Sequence, residues 1–166
     1  LRRIEAFTKG DHEVFGAYSH MGGTVTALVK LADSDEEKAR DIAMHIAATA
    51  PKYISESDIP QEVIDRELNV LKTQAEEENA KATKPKPSNI LEKIVEGRLK
   101  KNFKEVCLVD QEFIKDSDKS VGQVITEAVA KIGEKIDVRR YVRYELGEGL
   151  EKRNDDFVAE VMAQAK

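Results

Sequence analysis

Two helix-forming stretches in the middle of the chain carry too little apolar surface to bury themselves, and this organises everything around them. From Pro60 onward, Ile64, Leu68, Leu71 and Ala75 recur at spacings of four, three and four, which lines them along one stripe of a helix. The stripe is a narrow seam with charge all round it, as in a two-helix coiled coil. It stops at Glu76-Glu77-Glu78-Asn79, and a basic, proline-bearing connector follows from Ala80 to Pro87. Ser88 is expected to cap a second helix whose seam is Leu91, Ile94, Val95 and Leu99. The two helices are expected to pair as an antiparallel hairpin over residues 58–103, projecting from a globular body.

That body reads as α+β. Thr24 to Leu31 alternates with period two, placing Val25, Ala27, Val29 and Leu31 on one face of a strand. Val14–His20 and Arg2–Phe7 read as shorter strands before it. The glycine-bearing connections Lys9-Gly10-Asp11 and Met21-Gly22-Gly23 are short enough for antiparallel hairpins. Val138–Leu146 is expected as a fourth strand, with Val138, Val142, Tyr144 and Leu146 on one face and arginines on the other. Ser34 and Glu37 form a capping box for a helix with the stripe Ala39, Ile42, Ala43, Ile46, Ala47 and Ala50. Ser120 and Gln123 do the same for a helix carrying Val124, Ile125, Ala128, Val129 and Ile132. The expectation is an antiparallel sheet with two helices packed on one face. Residues 1–57 and 104–150 form the core, and 151–166 a C-terminal helical module with the stripe Phe157, Val158, Val161, Met162 and Ala165.

Chemistry-bearing motifs are absent from the pattern. His12, His20, His45 and the single Cys107 are too scattered for a zinc site. Cys107 sits in the apolar run Val106–Val109, where a thiol serves as core filler. Met21-Gly22-Gly23 lacks the lysine and following helix of a phosphate loop. Lys and Arg number 27 against 32 Asp and Glu, a net charge of −5. This argues against bulk nucleic-acid binding, and Arg139, Arg140 and Arg143 read as a solvated or partner-facing strand face. No apolar run reaches the ~20 residues of a membrane span. Leu1 falls in what reads as a strand, so the chain reads as a piece of a longer protein. A binding module fits these features better than a hydrolase or transferase.

Several segments together resemble bacterial elongation factor Ts. They are Gly16–His20 with the Gly22-Gly23 turn, Asp41–Ala48, Lys93–Leu99 and Tyr141–Lys152, in the family's order and with the helical hairpin between them. The resemblance covers essentially the whole chain. It implies a cytoplasmic guanine-nucleotide exchange factor that binds elongation factor Tu and promotes GDP release in translation elongation, without a cofactor, catalytic residue or metal of its own. The resemblance is to the part of the family that follows its N-terminal helical domain and its first core subdomain with an Asp-Phe wedge, so the chain is expected to be a fragment lacking both. Asp155-Asp156-Phe157-Val158 looks like that wedge but falls in the C-terminal module. By position, His20, Met21 and Gly22 resemble the contact to the β-barrel third domain of elongation factor Tu. Phe157, Val161 and Met162 resemble the module that touches its GTPase domain. The alternative is a dimerisation or protein-interaction module without exchange activity, with a possible homodimer; neither direct nucleic-acid contact nor a membrane is expected.

Overall fold

The computed structural model describes residues 3–133 and 135–150. Its elements are β1 (Glu13–His20), β2 (Val25–Ala32), α1 (Glu36–Thr49), α2 (Gln61–Ala80), α3 (Ser88–Val106), β3 (Glu112–Phe113), β4 (Asp116–Ser120), α4 (Val121–Ile132) and β5 (Asp137–Glu145). The class is α+β, as expected. Strands β1, β2 and β5 form an antiparallel sheet in that order. The long excursion between β2 and β5 is tolerated because loop-closure cost grows slowly with length.

Helix α1 lies on one face of this sheet. Its stripe of Ala39, Ile42, Ala43, Ile46 and Ala47 packs on Ala27, Val29, Leu31 and Val138. The alanines bring the helix backbone close, and Gly16 of β1 makes the approach possible: a Cβ there would stand 2.0 Å from the Ala39 carbonyl carbon. The cap is Asp35 rather than Ser34; its carboxylate accepts from the Lys38 N–H at 2.7 Å. The two residue types cap about equally well, so the start can slide by one position. At α4 the Ser120–Gln123 box is present in both directions, at 3.2 and 2.8 Å.

Four further expectations need correction. First, residues 3–7 form no strand. Phe7 meets Phe15 edge-on at 6.3 Å and lies beneath the Arg140 guanidinium, which pairs with Glu5. Arg3 sits over the Tyr144 ring and bonds Glu148 at 2.7 Å. These partners are side chains rising from the sheet's open face, so the segment crosses the sheet instead of extending it. Second, β5 carries a bulge. Leu31 pairs with Val138 but Lys30 with Arg140, leaving Arg139 as an extra residue. The bulge reverses the faces beyond it. Tyr141 and Arg143 turn toward α1, where they bond the Pro51 and Ala47 carbonyls at 2.8 and 3.1 Å; Val142 and Tyr144 turn to the open face. Third, α4 packs mainly on the small β3–β4 hairpin and the turn Leu108–Asp110 rather than on the sheet. Val121 joins Leu108 and Phe113 in the main core. Fourth, Ser88 is the first helical residue of α3, with Pro87 at the cap position.

Helices α2 and α3 pair through Leu71, Ala75 and Val95, flanked by Leu68, Leu91 and Leu99. Arg98 holds Glu78 with two bonds, 2.7 and 3.1 Å, which raises the guanidinium pKa and lowers the carboxyl's. At the base, Ile59, Phe103 and Cys107 make a separate apolar cluster.

Candidate partner-binding surface

The connection from β1 to β2 makes the tip of the antiparallel pair. His20 is the last residue of β1, opposite Val25. Its ring stacks on Tyr18 at 6.1 Å, and the Tyr18 hydroxyl is 3.3 Å from Nδ1. Met21, Gly22 and Gly23 then turn the chain with φ of +47°, +65° and +98°. Glycine adopts such angles without penalty, whereas a residue with a Cβ loses roughly 1–2 kcal/mol there. The turn is closed by the Thr24 hydroxyl donating to the Met21 carbonyl at 2.9 Å. Met21 is 77% exposed. The chain thus holds an apolar side chain in water on a strained turn, a combination that folding alone does not favour.

The neighbouring strand end adds to this surface. The Leu146 N–H donates to the Thr24 carbonyl at 2.8 Å, so β5 runs out beside the tip. Leu146 is 80% exposed and Leu150 61%. Leu146 was expected on an apolar strand face; the glycine-bearing turn after β5 leaves it in solvent. Neither leucine is distinguishable as surface from the sequence, because alternation reports a face and not whether anything covers it. The sequence-derived tip residues His20, Met21 and Gly22 therefore come together, joined by two leucines. Phe157, Val161 and Met162 lie outside the described residues.

The remaining candidates are structural. Cys107 is fully buried, and burial pushes its thiol up to about 11. His45 is also fully buried. The Ile114 N–H donates to its Nδ1 at 3.2 Å, so Nε2 carries the proton and faces Gln111 Oε1 at 3.0 Å. Burial lowers the pKa of this ring. A cleft of about 740 Å³ opens between β5 and residues 50–54, but its polar groups already serve the fold: Tyr141, pushed up to about 12 by burial, and Arg143 tie β5 to the end of α1. No group of three or more His, Cys, Asp or Glu among the described residues could hold a metal ion. No helix among them is long and apolar enough to cross a membrane.

What the fold offers is an exposed apolar surface at a strand tip. Residues 1–148 match the family model described as Elongation factor TS. The chain is 51% identical over 162 residues to Elongation factor Ts of Carboxydothermus hydrogenoformans, covering 92% of this chain and 72% of that protein. To Elongation factor Ts of Desulforamulus reducens it is 50% identical with the same coverage. To that of Heliobacterium modesticaldum it is 51% identical, over 89% of this chain and 70% of the relative. The chain belongs to the elongation factor Ts family, a family of bacterial translation elongation factors.

Proposed function

We propose that the chain binds elongation factor Tu and promotes release of its GDP, doing no covalent chemistry itself. Family membership supports the partner, and the observation that supports the surface is the strained, solvent-exposed tip. In this reading His20, Met21 and Gly22 meet the partner's β-barrel domain, and Phe157, Val161 and Met162 supply a second contact to its GTPase domain. Binding and nucleotide affinity are then reciprocal: a partner that weakens GDP binding is itself weakened by GDP. The test is calorimetric titration of wild type and His20→Ala into elongation factor Tu, with and without excess GDP. His20 is exposed and among the described residues its side chain bonds and stacks on Tyr18 alone, so its removal leaves the melt within ~0.5 kcal/mol of wild type. At a docked tip the same truncation costs over ~1 kcal/mol, a weakening of roughly fivefold or more. Unchanged affinity with an unchanged melt removes His20 from the interface. Titration of the wild type without heat, and with no acceleration of fluorescent GDP release, overturns the function itself.

A second reading is a homodimer closing over the sheet's open face, where Leu28, Val142 and Tyr144 are half-buried. Sedimentation of the chain alone and with elongation factor Tu separates the two.

A further inference from the structure

The hairpin segregates its charges. Helix α2 carries six acids against two bases, whereas residues 81–106 carry eight bases against three acids. In α3, Lys93, Gly97, Lys100 and Lys104 follow one another at spacings of four, three and four, with Lys101 beside them. They fall on the side away from the Leu91, Val95 and Leu99 seam, and all five are exposed. The stripe runs about 16 Å at the helical rise and continues into the connector through Lys86 and Lys84, also exposed. Asn79 clamps that junction, donating to the Lys86 carbonyl at 3.0 Å and accepting its N–H at 2.6 Å. The basic tip is therefore held in line with the stripe. Arg98, the arginine of this helix, is taken by Glu78; Lys93, Lys100, Lys101 and Lys104 form no ion pair among the described residues. In the middle sits Gly97. A Cβ there would meet nothing within 4 Å, so no packing within the fold calls for glycine at a helix-interior position that disfavours it.

We propose that the outer face of α3, from Lys86 to Lys104, docks on the phosphate backbone of structured RNA, with Gly97 admitting the close approach. The lysines supply point charges that displace counterions from phosphates. The face has none of the aromatic anchors that mark protein interfaces, and lysine is depleted in those. Whole-chain acidity argued against nucleic acid, but residues 81–106 are locally basic, and the negative charge is spread over α2 and the rest of the chain. The site is separate from the strand tip and does not depend on it.

The test uses the full chain and a fluorescein-labelled 20-base-pair RNA duplex, titrated by anisotropy across a salt series. Wild type is expected to bind at low salt and to weaken linearly on a log–log plot. K93Q/K100Q/K104Q reduces that slope by about 2–3 and weakens low-salt binding at least tenfold. K9Q/K52Q/K135Q, with the same net charge, binds as wild type. Gly97→Leu weakens binding several-fold without lowering the melting temperature. Absence of wild-type binding overturns the proposal, as does wild-type affinity in either α3 variant. Capture of an acidic peptide through the same lysines, with no RNA binding, also overturns it and assigns the stripe to a protein partner.

Discussion

His45 is held in a single neutral tautomer by what surrounds it. The Ile114 N–H occupies Nδ1, so a second proton would have to displace that bond in a buried site. The unfolded ring takes a proton near pH ~6.5, and the folded ring, with its lowered pKa, only at lower pH. Between the two values the unfolded state binds more protons, so stability falls as pH drops through that window. Urea midpoints at about pH 7.5 and 5.5 are expected to separate for wild type and to converge for His45→Gln; an equal separation in both chains would place the titration elsewhere. The carboxyls of Glu13, Glu78, Glu127 and Glu148, all lowered by their partners, begin to titrate only near their ordinary value of 4.5 and below. Met21 gives a second test at this scale. Replacing it with glycine relieves roughly 1–2 kcal/mol of left-handed strain, partly offset by ~0.5–1 kcal/mol of unfolded-chain entropy. The melt is expected to stay or rise slightly while affinity for elongation factor Tu falls. A parallel fall in both would make Met21 a folding residue.

Elements with a strong period were legible and those defined by contact were not. The α1 stripe, the α2–α3 seam and the Ser120 box each write their burial into residue spacing. The β5 bulge does not, because an extra residue at Arg139 changes the faces without changing composition. The path of residues 3–7 was hidden for a related reason: alternation is the same whether a segment pairs through its backbone or lies across a sheet by its side chains. His45 looked like any scattered histidine, since its burial depends on Gln111 and Ile114, far along the chain. The turn at His20 to Gly22 was legible from its glycines, and the partner role proposed for these residues comes from the family resemblance, whereas the exposure of Leu146 and Leu150 leaves no mark in the alternation. The hairpin carries its own prediction. Leu71 is 6% exposed at the seam, and Leu to Ala there costs ~2–5 kcal/mol, toward the low end where two helices can relax together. Amide exchange is expected to rise across α2 and α3 while the sheet keeps its protection. Uniform loss of protection would show that hairpin and body unfold as one unit.

For the molecule as a whole, the sheet has two different sides. One carries α1 and the main core; among the described residues the other carries only 3–8, held by Phe7 on Phe15 and by pairs involving Arg3 and Glu5. Exposed ion pairs contribute little, ~0–1 kcal/mol each, so Phe7 is the main apolar anchor. Phe7→Ala is expected to release the segment, raise binding of a hydrophobic dye and increase self-association in sedimentation. An unchanged sedimentation profile with no added dye binding would mean the segment stays in place without its ring. The single extra residue in β5 bears on how this fold can vary over generations. Because every side chain after Arg139 takes its orientation from that count, exchanging one residue for another along β5 disturbs one contact. Losing one position at the bulge would swing Tyr141 and Arg143 away from α1 and carry Val142 and Tyr144 inward in their place. The strand is thus far more tolerant of spelling changes than of any change in its length.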